Sequence, residues 1–329
     1  MSRLKFSLKL VITIVIIWLV WDRFDFQQLK TVLTNPILLA IIPLSWVFNQ
    51  LLTSLRLHAL LLALGRSTQV ADVFCANMAS LFVGNLLPGV IGTDLVKFFY
   101  LKKHHPLILN TQLALVLGLD RILGLMAVLF WCSFFSFFIH NDLDGKRSQV
   151  TYFLTYLPTA MLFLMLLFFV ILHLIFEHVA KFKFPEFISK LFDIYRQFNQ
   201  GLSKKLIVQV MVYNLLAVFV LLVGLVFVGS KLQLQQSGET IYMLQFFLIP
   251  LVLIASMIPI TPMGIGVAQI TMASAYELYG LDSSVGVSIS TLSQLGLMSV
   301  SILVGGTIFI LGKSNISEFR RFRNVEIKK

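Results

Sequence analysis

Apolar runs of about 18 or more residues recur along this chain, and that is the length a helix needs to cross the hydrocarbon layer. Six stretches read as full spans: 6–21, 37–55, 122–139, 152–176, 206–229 and 284–312. Only 12% of the 329 residues are charged and the mean hydropathy is +0.89, whereas a soluble domain is about one quarter charged. The expected fold class is an all-α polytopic membrane protein, with residues 1–329 forming one membrane domain. The first apolar run ends in Trp21-Asp22-Arg23 with no small-residue cleavage site, so it reads as a retained first helix rather than a signal peptide. The 30 phenylalanines read as lipid-facing and helix-packing surface.

Two further apolar stretches, 73–101 and 241–280, are broken in the middle. The first break contains Pro88, Gly89 and Gly92; the second is "PITPMGIG", with Pro259, Thr261, Pro262, Gly264 and Gly266. Proline removes a helix donor, and glycine accepts backbone angles that other residues resist. Each arm is short for a full crossing, so each stretch reads as a hairpin, either re-entrant or fully spanning with a kink.

Loop charges set an orientation under the positive-inside rule. Arg3, Lys5 and Lys9 place the N-terminus inside, and the tail 313–329, with Arg320, Arg321 and Arg323, is also inside. The stretch 73–101 then begins and ends inside, while 241–280 begins and ends outside. Two broken hairpins entering from opposite sides are the pattern of an inverted repeat with a site near the bilayer middle. Residues 178–205 carry apolar positions at helical spacing with basic residues between them, and read as an amphipathic helix on the inner surface.

The net charge of +11 follows from these loop cations and their contact with anionic headgroups, so no nucleic-acid partner is expected. Cys75 and Cys132 lie in apolar segments, without a disulfide framework or a metal-ligand spacing. The six histidines have no zinc spacing, and no nucleophile-elbow or phosphate-loop motif is present. No catalytic residue, metal or cofactor is assigned.

Charged residues in apolar surroundings mark the candidate site. Arg56 ends one apolar segment, Arg121 begins another, and Lys97 follows the first break. All three are expected at the inner edge of the hydrocarbon, where guanidinium groups grip lipid phosphate in pairs of hydrogen bonds; snorkelling of helix-end cations is the plainer alternative. Asp94 follows Thr93 at a helix start and has the i, i+3 spacing to pair with Lys97. Asp120 needs a partner from another segment, with Arg56 and Lys97 as candidates. Gln269 lies deep after the second break. Ser288, Thr291 and Gln294 form a polar stripe on the last helix that either lines a cavity or packs tightly.

The motifs "NLLPGVIGTDLVKFFYL", "GLDRILGL" and "IPITPMGIGVAQ", in this order, resemble the membrane part of the lysylphosphatidylglycerol synthase/flippase family. The resemblance covers nearly the whole chain. It maps the family's first motif onto Pro88, Gly89, Gly92, Asp94 and Lys97, the second onto Asp120, Arg121 and Gly124, and the third onto Pro259, Thr261, Pro262, Gly264, Gly266 and Gln269. The family usually has arginine at Lys97 and glycine at Thr93, and often glutamate at Gln269 and glycine at Met263. The resemblance implies a flippase-like transporter of the cytoplasmic membrane, without the family's soluble aminoacyl-transferase domain. The expected partner is an anionic phospholipid or a polyprenyl phosphate. An enzyme, or enzyme subunit, acting on lipid-linked sugars is the alternative.

Overall fold

The computed structural model describes residues 25–86, 90–139, 149–179, 196–197, 200–201, 203–232, 239–257, 261 and 264–311. The expected first span at 6–21, most of the surface helix at 178–205, Pro88, Gly89, Pro259, Pro262 and the tail at 313–329 lie outside these residues. Helix accounts for nearly all of the described chain, with no strand among the described residues.

The chain enters through a short helix, α1 (Phe26–Thr34), and a long one, α2 (Pro36–Ala63). Both starts are fixed by side-chain caps: Asp25 accepts from the Gln27 and Gln28 amides, and Asn35 from those of Ile37 and Leu38. Pro36 occupies the first turn of α2, where its missing donor costs nothing. The first hairpin is α3 (Val70–Leu86) and α4 (Val90–His104), followed by α5 (Asn110–Ile139) and α6 (Gln149–Val179). The second half begins with α7 (Lys204–Leu232) and continues with the second hairpin, α8 (Glu239–Ser256) and α9 (Val267–Leu278). The last helix is α10 (Ser283–Val300); a π-turn at Ser301–Gly306 carries it into α11 (Thr307–Leu311).

Five helical segments are long and apolar enough to cross a membrane: Pro36–Ala63, Asn110–Ile139, Thr151–Phe168, Lys204–Leu232 and Ser283–Leu311. They contain or overlap the five expected spans that fall within the described residues. The hairpin arms are shorter, and at 1.5 Å per residue even an 18-residue arm reaches only about 27 Å.

Packing repeats between the halves. α2 lies antiparallel along α7, with Asn49 donating to the Ala217 carbonyl and Arg56 donating to Asn214. α3 packs on the last helix, where Met78 and Phe82 sit against Gly305, while α8 packs on α5. The first hairpin thus leans on the last helix and the second on α5. The hairpins also open at opposite ends of the bundle. Asp72 at the open end of the first pairs with His105, close to where α2 stops. The second opens where α10 begins, and there Gln28 of α1 donates to Ser284. The tips of both point toward the middle.

The long helices extend past the charges they carry. α2 continues beyond Arg56 through Leu57, Leu60 and Leu61, which join Val73, Ala76, Leu101, Leu113 and Val116 in a buried cluster. α5 begins eleven positions before Arg121. Both arginines thus lie within helices, and each has a carboxylate partner from another helix.

Candidate functional site

A cavity of about 640 Å³ is lined by residues of both hairpins. α2 contributes Trp46, Gln50, Thr53 and Arg56, spaced three to four residues apart and so on one face. α3 contributes Asn77, the adjacent Ser80 and Leu81, and Gly84, and α4 contributes Thr93 and Lys97. The second hairpin contributes Ile249, Val252, Leu253, Ser256, Thr261 and Gly264. α7 supplies an apolar wall of Val218, Leu221 and Leu225, and α10 supplies Ile289, Ser293, Gln294 and Leu297. The charged lining residues are Arg56, Lys97, Asp120 and Arg121; apolar side chains dominate the rest.

The charges form two pairs and one remainder. Asp120 Oδ1 accepts from Arg56 Nε at 2.8 Å and lies 2.6 Å from Nη2, and both side chains are under one-tenth exposed. Arg56 Nη1 donates to Asn214, whose amide in turn donates to the Leu123 carbonyl at 2.8 Å. This guanidinium is clamped on both sides. Removing one member of such a buried pair leaves an uncompensated charge. The second pair is wetter. Asp94 accepts from Arg121 Nε at 3.0 and 2.9 Å and from Nη2 at 2.7 Å, and Thr93 Oγ1 also accepts from Nη2 at 2.7 Å. These side chains are 46% and 30% exposed. Asp120 and Arg121 are sequence neighbours, and they point to different partners around α5.

Lys97 is the remainder. It is 8% exposed, and its ammonium lies 3.9 Å from Asp120 Oδ2 with no hydrogen bond to any described residue. An ammonium carries three donors, and an unsatisfied one is costly to bury. The expected Asp94–Lys97 pair is not formed: Arg121 takes Asp94 with the better fork geometry, and Lys97 turns toward Asp120.

The structure thus gathers Arg56, Lys97, Arg121, Asp94 and Asp120 at one level. It treats the neutral candidates differently. Gln294 lines the cavity. Gln269 stands behind it and serves the hairpin turn: its Oε1 accepts from the Gly266 amide at 2.7 Å, and its Nε2 donates to Gln294 Oε1 at 2.8 Å. Ser288 and Thr291 likewise do not line this cavity; Thr291 Oγ1 lies 3.4 Å from Gln269 Nε2 on α9, while Ser293 and Gln294 reach the opening. At the tips, Thr261 and Gly264 line the cavity, and Gly266 starts α9. Gly92 lies in the first turn of α4.

Asn214 is the principal residue that the sequence reading missed. A lone amide in the apolar run "VYNLLAVF" was the available signal, since a buried amide needs a partner. Asn77 and Ser54 gave the same signal and are joined by a hydrogen bond from Asn77 Nδ2 to Ser54 Oγ.

A polytopic helical bundle with two broken hairpins lining an ionised central cavity is the class this fold and site define. Residues 6–305 match the Lysylphosphatidylglycerol synthase TM region, and the chain belongs to that family. No curated protein matches the chain.

Proposed function

We propose that this protein binds an anionic lipid and moves it between the leaflets of the cytoplasmic membrane. The observation that carries the reading is the cavity: a charged patch centred on Lys97 at one level and an apolar wall along the rest. A lipid has that division of surface, an ionic head and hydrocarbon chains. Membership of a family of lipid-related membrane proteins supports the same reading.

In this reading both hairpins are re-entrant, one from each side, and the chain is an inverted repeat. Irregular backbone at membrane depth is tolerated where protein or a wet cavity surrounds it, and both tips adjoin the cavity. The N- and C-termini are cytoplasmic, and the headgroup is received at the inner leaflet by Lys97, with Arg56 and Arg121 held around it by Asp120 and Asp94. The protein acts as a transporter and not as an enzyme.

The test is to purify the protein in mild detergent beside a Lys97→Ala/Arg121→Ala variant and to identify retained lipids by mass spectrometry. Enrichment of one anionic lipid, lost in a variant that keeps the native unfolding temperature, is the expected outcome. The same bulk lipid profile in both proteins would remove the site.

A further inference from the structure

We infer that Lys97 holds a small inorganic monoanion, chloride being the common one, whenever no headgroup occupies the cavity, so that ion and headgroup exchange at one place. The ion site follows from the charges in the cavity wall. Only the exchange rests on the lipid-binding reading above.

The buried charges do not balance. Asp120 is the one buried carboxylate among the described residues, and it faces two cations, Arg56 at 2.6 Å and Lys97 at 3.9 Å. All three residues are under one-tenth exposed. Arg121 and Asp94 offset each other in the wetter pair. A surplus of one positive charge is therefore left in the dry part of the site. Such a charge is costly away from bulk water until a counter-charge joins it. One monovalent anion brings the dry part to neutrality, and a divalent one overshoots.

Donors are left over as well. Arg56 spends Nε and Nη2 on Asp120 Oδ1 and Nη1 on Asn214. Lys97, at 3.9 Å, lies too far from Asp120 Oδ2 to donate to it. Its ammonium is a compact charge with three rotatable donors and no fixed fork, which suits a spherical ion. The cavity of about 640 Å³ holds such an ion with part of its water shell, since one water takes about 30 Å³. Two buried wall atoms, Asn77 Oδ1 and Thr261 Oγ1, have no hydrogen bond among the described residues. Both are places for that water to attach, and the Thr261 hydroxyl can also donate.

The experiment is equilibrium binding of radiolabelled chloride to the full chain, delipidated in neutral detergent, with sodium sulfate holding the ionic strength fixed. One saturable site per chain is expected, emptied by bromide and not by sulfate. Lys97→Gln should weaken it by about tenfold or more, the scale of one hydrogen bond to a charged group. Lys30→Gln, which removes an exposed cation on α1, should leave it unchanged. No saturable binding to the native protein, displacement by sulfate as readily as by bromide, or equal losses in the two variants overturns the ion site. Unfolding temperature, measured on each variant, separates a lost site from a lost fold. If Lys97→Gln does not fold, the bromide and sulfate competition on the native chain still decides. Phosphatidylglycerol, added last, should release the bound chloride. Chloride that stays bound while the lipid binds overturns the exchange. Chloride binding without any lipid binding removes the lipid-binding reading and the exchange with it, and leaves the ion site standing.

Discussion

Both hairpins fasten their second arm to the long helix that follows, and they use different chemistry. In the first half Asp94 on α4 accepts three hydrogen bonds from Arg121 on α5, with Lys97 and Asp120 beneath. In the second half Gln269 on α9 donates to Gln294 on α10 and accepts from its own turn at Gly266. The places correspond, and one fastening is ionic while the other is an amide chain. The difference gives the cavity a direction. The surplus charge lies on the first-hairpin side, and nothing on the described second-hairpin side competes for an anion. In the proposed lipid-binding reading, two ionic fastenings would place charge on both sides of the cavity, and two amide fastenings would leave an anionic headgroup without a cation.

The largest expected break in this comparison is Asp120→Ala. It strands Arg56 and Lys97 in a buried setting, and loss of one member of a buried ion pair costs about 3–5 kcal/mol. The matching change at the exposed fastening, Asp94→Ala, should stay within about 1 kcal/mol, because solvent screens that pair. Unfolding of the two variants in the same detergent checks the contrast. Equal losses would mean that burial does not distinguish the two carboxylates.

A smaller effect is expected at the tips, where the hairpins again differ. A Cβ on Gly84 would collide with Thr93 Cγ2 and lie 3.4 Å from its Cα, so the first hairpin closes through direct contact of its arms. Gly84→Ala should cost about 1–3 kcal/mol by overpacking and push Thr93 and Lys97 from their places at the cavity. Gly264 has room for a methyl group but sits at φ +71. Gly264→Ala should cost about 1–2 kcal/mol of backbone strain and leave Lys97 undisturbed. Lipid retention in the two variants reads the difference: a loss in the first only. Equal retention would show that tip closure does not position Lys97.

Much of this fold was legible in the sequence because the two strongest signals are physical lengths. Within the described residues, a run long enough to span forms one long helix, and a run broken by proline and glycine forms two shorter ones. The cluster of Arg56, Lys97, Asp94, Asp120 and Arg121 was legible because each charge stood in apolar surroundings. Its wiring was not. The i, i+3 spacing of Asp94 and Lys97 suggested a local pair, yet Arg121, 27 positions away, offers a planar fork that a lysine lacks. The partners of Arg56 were no more legible: Asp120 comes from α5 and Asn214 from α7. Pairing between distant helices carries no local period, so spacing along one helix cannot reveal it.

The smallest expected effect sharpens the neutral side. Gln269→Leu removes the acceptor for the Gly266 amide and the donor to Gln294, both at a buried position. Hydrogen bonds of this kind within membrane bundles contribute about 0.6 kcal/mol on average and up to about 1.7, so a loss near 1 kcal/mol is expected. Gln269→Glu should cost more, because its carboxylate is a buried charge with no cation on that side, even though it still accepts from the Gly266 amide. The ranking Glu below Leu below native in unfolding temperature is the measurement. A glutamate variant as stable as the native protein would mean that water or a cation reaches this side of the cavity, and that the neutrality of Gln269 is not what the second hairpin requires.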